Sequence, residues 1–192
     1  MKKNMLYKVM MMVLMAVVTM TFAACGGDDA GDNTNNGNSG GGTTSTGIEY
    51  VMPNLSWGSK PEYIKSTMNW TDYELIQEES YHGVTITLRY YNAKKNIMIV
   101  YVFNGSEKLI TAETSFAYVT RNDLSTIVEQ VEKAYGVTFG QPSIRGEMVF
   151  LSTRTTINSE PCFIQISDMT AVSVGNDPFI SVYVSLEEPT LN

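Results

Sequence analysis

The chain has 192 residues, 13 Lys and Arg against 20 Asp and Glu, and a formal net charge of −7. An acidic chain with scattered cations has no footprint for nucleic acid and no polybasic segment for an anionic lipid surface. Its one histidine excludes a histidine-based metal cluster, and no cofactor is implied.

The chain opens with Lys2, Lys3 and Lys8 around an apolar run. Val9 to Val18 contains only Val, Met, Leu and Ala, and the small residues Ala23 and Ala24 precede Cys25. Charge, apolar run and small residues in that order mark an export signal. The uncharged stretch from Val9 to Ala24 is 16 residues, short of the roughly 20 that a spanning helix needs. Phe22-Ala23-Ala24-Cys25 resembles a bacterial lipobox, where signal peptidase cuts before a cysteine whose thiol carries diacylglycerol. Phe22 stands where Leu is usual, a looseness similar to that of Bacteroidetes lipoproteins. The resemblance implies a signal peptide at 1–24, a lipid on Cys25, and an outer-membrane anchor held by paired acyl chains. The alternative is an ordinary secreted protein cut near Ala24.

Residues 26–47 carry eight glycines in 22 positions, with Asn, Ser, Thr and Asp for most of the rest. Such a segment cannot offset its ordering entropy by burial, so 25–47 reads as a lipidated cysteine followed by a flexible tether. Asp28, Asp29 and Asp32 resemble in part the acidic signal that sends some Bacteroidetes lipoproteins to the cell surface. Cell surface and periplasmic face both stay open. Residues 48–192 then form a single globular domain, long enough for a real core. With Cys25 acylated, Cys162 is the one thiol left in it. It reads as a buried, inert thiol in a strand.

The first element of the domain is a short helix after Ser59-Lys60-Pro61-Glu62, where Ser59 and Glu62 have capping-box spacing. Trp57 and Trp70 flank it. From about Tyr73 the period changes to two: Val84, Ile86, Leu88 and Tyr90 face one way, Thr85, Thr87 and Arg89 the other. Asn92 to Asn96 is a turn. Ile97 to Phe103 is apolar on both faces and reads as a central strand. Asn104-Gly105 predicts a hairpin that returns the chain from Lys108 to Tyr118. A second helix follows over about 122–135, with Thr120 and Asp123 at capping-box spacing. Its stripe is Leu124, Ile127, Val128, Val131 and Tyr135, and Gly136 is the stop. Strands are then predicted at 147–155, 161–167 and 179–186, with a short one at 169–174 and a turn at 176–178.

The fold class expected is α+β: antiparallel sheet or sheets with two helices packed on one face, in a tandem helix-plus-meander order. The stretch Gly58, Glu62-Tyr63-Ile64 and Met68 resembles the helix-opening motif of small lipoprotein domains of the outer-membrane-assembly accessory and β-lactamase-inhibitor type. That resemblance implies helices on one face of an antiparallel sheet and carries over no functional residue. The architecture as a whole is also similar to that of uncharacterised lipoproteins of gut Bacteroidetes.

No catalytic combination is legible. His82 sits in a turn-like Tyr81-His82-Gly83, without a G-x-S-x-G elbow, and Cys162 lies in an alternating strand. The phosphate-binding glycine patterns and the calcium loop are missing, and catalytic and metal-ligating residues are therefore none. The aromatics are the remaining hint of recognition, with Trp57, Trp70, Tyr81 and Tyr91 as the candidate binding surface. The expectation is a non-catalytic binding or structural lipoprotein for an envelope protein partner, with no nucleic acid and no assigned oligomeric state. An inhibitor-like or carbohydrate-recognition module that takes a glycan is one alternative, and a hydrolase working through carboxylates is another.

Overall fold

The computed structural model describes residues 47–68, 70–171 and 178–186. The predicted signal peptide, Cys25 and the tether up to residue 46 lie outside the described residues. So do the end of the predicted strand at 172–174, the turn at Asn176-Asp177, and the acids Glu187 and Glu188.

Eight strands form one antiparallel sheet: β1 (Glu74–Tyr81), β2 (Val84–Asn92), β3 (Ile97–Phe103), β4 (Leu109–Ala117), β5 (Ser143–Arg145), β6 (Met148–Ile157), β7 (Glu160–Asp168) and β8 (Phe179–Ser185). Their spatial order is β1-β2-β3-β4-β8-β7-β6-β5. Each four-strand meander follows a helix, α1 (Pro61–Thr67) or α2 (Leu124–Tyr135). The last strands of the two meanders pair with each other, Thr111 opposite Ser185 through Ala117 opposite Phe179. The tandem order therefore closes into a single sheet.

Local chemistry accounts for most boundaries. Thr120 and Asp123 make the predicted capping box at the 3-10 turn Arg121–Asp123 that leads into α2. Gly136 ends that helix with φ 63°, the left-handed conformation that glycine adopts without steric cost. The expected box at α1 does not form: Lys60 is the N-cap and no side chain caps it. Ser59 instead gives its carbonyl to the Leu109 N–H at 2.9 Å, while Gly58 N–H bonds Leu109 O at 3.1 Å. That main-chain pairing ties Ser59 to β4, and Lys60, extended at φ −83° and ψ 161°, precedes the helix start at Pro61.

Two hairpins use two-residue turns with positive φ at both positions, His82-Gly83 (51° and 78°) and Asn158-Ser159 (53° and 68°). The Asn104-Gly105 hairpin forms in a wider version. The Asn104 side-chain carbonyl accepts from the N–H groups of Ser106 and Lys108 at 2.9 and 3.0 Å, and Glu107 takes the positive φ of 56°. Met169 still bonds Phe179 O through its N–H at 3.0 Å, and Thr170 and Ala171 form a turn where the short strand is predicted. Two strands escaped the periodicity: β5, exposed along its whole length, and β1, whose register shifts at Leu75/Gln77 and again at Glu79/Ser80.

The core is one cluster. Leu88 and Tyr90 of β2, Ile97, Ile99, Tyr101 and Phe103 of β3, Phe116 of β4, Ile164 and Ile166 of β7, and Ile180, Val182 and Val184 of β8 belong to it, together with Ile64 of α1 and Ile127 and Val131 of α2. Cross-strand register places the strand members on a common side, as in Ile99 opposite Tyr90 and Ile164 opposite Val184. Residues 48–55 form a strap without helix or strand against this cluster, with Ile48, Tyr50 and Val51 partly buried on it and Leu55 inside it. Among the described residues no helix is long and apolar enough to cross a membrane.

Candidate binding face

Alternation along each strand sends a second set of side chains to the side opposite the cluster. Register aligns them in transverse rows. The middle row runs Gln77, Arg89, Val100, Glu113, Tyr183, Gln165 and Ser152 across β1, β2, β3, β4, β8, β7 and β6. The row on one side holds Thr87, Val102, Thr111, Ser185, Phe163 and Arg154; the row on the other holds Tyr91, Met98, Ser115, Ser181, Ser167 and Phe150. The Thr and Ser positions of the two flanking rows are buried, although alternation alone marks them as a solvent face.

Two charged side chains stand in the middle row. Arg89 is only 4% exposed. Its Nη1 donates to the Gln77 side-chain carbonyl, and its Nη2 lies 3.2 Å from Glu79 Oε1. Arg89 thereby ties the bulged edge strand β1 down onto β2. Glu113 is half-buried and accepts a hydrogen bond from the Ser115 hydroxyl at 2.8 Å. Burial pushes its carboxyl up from the usual glutamate value; hydroxyls of Ser115 and Ser181 and the attraction of Arg89 offset only part of that. Its neighbours along the row are Val100 and Tyr183, and on its own strand Thr111 and Ser115 share its side. Among the described residues, none of these neighbours of Glu113 is a second carboxylate.

The four aromatics singled out in the sequence are not gathered on one surface. Trp57 and Trp70 pack against the core cluster, and Trp70 meets Tyr73 edge-on at 5.2 Å. Tyr81 is exposed at the β1–β2 turn, its ring 4.2 Å from that of His82. Tyr91 sits at the far end of the same hairpin, opposite Glu74, with its hydroxyl donating to Asn96. Seven residues of strand separate the two ends, about 23 Å at 3.3 Å per residue. Cys25 lies outside the described residues.

His82 and Cys162 are equally far apart. Cys162 is buried on β7, five strand positions from β1, or about 24 Å at 4.8 Å each. Burial pushes its thiol up, away from thiolate character. Among the described residues no group of three or more His, Cys, Asp or Glu side chains could hold a metal ion. The period of two puts Arg89 on the side away from the core, and no spacing in the sequence singles out Glu113. The available signal is a single charged residue inside each of two strands that carry no other charge.

Comparison with family models, with curated proteins and with solved structures finds no match to this chain.

Proposed function

We propose that this domain is a non-catalytic binding module, carried on a lipid at Cys25, that holds an envelope protein partner on the sheet face opposite its core cluster. In this reading both helices cover the cluster side, which their shared membership with inward strand residues supports. The observation that carries the reading is the transverse row at Glu113, Tyr183 and Gln165. It spans three neighbouring inner strands, β4, β8 and β7, with half-buried polar and aromatic side chains. Such a strip supplies an acceptor, an amphipathic ring and an amide, a set suited to a protein surface of mixed polarity. Among the described residues no acid stands beside Glu113 in its row, which weighs against the hydrolase alternative, and the scatter of Trp57, Trp70, Tyr81 and Tyr91 weighs against an aromatic glycan platform.

The test is capture from the cell envelope with the full chain and with a Tyr183→Ala/Gln165→Ala double variant, read by mass spectrometry. A protein recovered with the parent and lost with the variant supports the reading. Glycan-array binding without a recovered protein would replace it by the carbohydrate alternative. The anchor has a separate check: Cys25→Ser should abolish lipid labelling and processing, and a normally processed soluble product would overturn it.

A further inference from the structure

Residues 48–54 carry no strand pairing of their own; Ile48, Tyr50, Val51 and Pro53 are partly or fully buried, and Glu49 and Met52 are exposed. Among the described residues no main-chain hydrogen bond joins them to a neighbouring strand. Side chains take the place of the ladder. The Gln130 amide on α2 grips both sides of one residue pair: its Oε1 accepts from Tyr50 N–H at 2.5 Å, and its Nε2 donates to Ile48 O at 2.8 Å. The Thr114 hydroxyl on β4 donates to Val51 O at 3.0 Å. The Tyr101 hydroxyl on β3 accepts from Asn54 N–H at 3.0 Å. The Tyr50 and Tyr135 hydroxyls share a 2.7 Å hydrogen bond.

We infer that this strap is a separately opening latch, whose clasp is the Gln130 amide and whose release uncovers Tyr135 and Phe116 while the eight-stranded sheet stays paired. Two features point this way. Every bond that holds the main chain of the strap ends on a side-chain atom, so the strap can lift without breaking a strand ladder, whereas β3 and β4 are paired on both edges. The strap also lies outside the eight-stranded sheet, with Glu49 and Met52 exposed along it, so water reaches it without any strand separating. Local opening draws on segments of this kind, with few main-chain bonds and partial burial. The Tyr50 ring, which packs on Phe116 and Tyr135 at 6.4 and 6.1 Å between centroids, makes the closed state specific.

The deciding measurement is native-state hydrogen exchange of the full chain, followed at single amides. The Tyr50 and Asn54 amides should exchange at least tenfold faster than those of Ile99 and Tyr101, with a rate nearly independent of low denaturant. Gln130→Ala should speed Tyr50 a further tenfold and leave the β3 amides unchanged. A Tyr50 amide that exchanges at the rate of β3, with the same denaturant dependence, overturns the inference. So does a Gln130→Ala effect spread equally over strap and sheet. If the variant fails to fold, the comparison within the parent chain decides alone.

Discussion

Asp168 and Glu113 are two carboxylates on the same sheet with opposite fates. Asp168 is fully buried, and burial pushes its carboxyl up. The Thr170 hydroxyl and N–H at 2.6 and 2.9 Å and the Arg121 Nε at 2.8 Å outweigh that and hold it below the usual aspartate value. A carboxyl lowered on folding stabilises the fold above its unfolded value, about 3.9, and loses that contribution as pH falls through the folded value. Arg121→Ala should therefore cost about 2 kcal/mol at pH 7, with the difference from the parent shrinking below about pH 4, measured by urea unfolding across that range. Glu113 has the reverse sign. Its carboxyl is raised, so ionising it costs stability as pH rises from the unfolded value of about 4.3 through the folded one. Glu113→Gln should be more stable than the parent at pH 7 and match it near pH 3, read by urea unfolding at both values. An unchanged or lower stability at pH 7 would mean that Arg89 and the serine hydroxyls fully compensate the burial.

At the scale of elements, α2 is the best specified piece of the chain. Its capping box, apolar stripe and glycine stop all lie in the sequence and all form. Asp123 accounts for much of its start, because its carboxylate accepts from both the Thr120 N–H at 2.7 Å and the Thr120 hydroxyl at 2.9 Å. Asp123→Ala should cost about 1–2 kcal/mol, read as a lower urea midpoint with little change in slope. The start of α1 was less legible, since the pairing of Ser59 with Leu109 joins residues fifty positions apart and no local rule foresees it. For β1 and β5 the reasons differ. Two register shifts scramble the alternation of β1, and β5 buries no residue, so it has no pattern to read. The candidate face was hidden for a third reason. A period of two separates the two sides of a strand, but it does not say that Thr87, Arg89 and Ser115 on the second side are buried.

At the scale of the whole domain, the pairing of β4 with β8 makes one hydrogen-bonded sheet out of two meanders that repeat the same order of elements. The core cluster crosses that seam without a break, because Phe116 and Ile180 face each other across it. Two halves sharing both a ladder and a core should unfold together. The sequence provides a clean probe, for both tryptophans, Trp57 and Trp70, belong to the first half. Ile164 lies in β7 of the second half and is completely buried. Ile164→Ala should cost about 2–5 kcal/mol through lost burial and the cavity left behind. Its unfolding midpoint should fall equally by tryptophan fluorescence, which watches the first half, and by far-UV circular dichroism, which watches all strands. If the fluorescence midpoint held its parent value while the dichroism midpoint fell, the meanders would be independent units and the seam a contact of minor weight. Coincidence would show that the β4–β8 pair carries stability from one meander to the other, which keeps Glu113, Tyr183 and Gln165 in register on the proposed face.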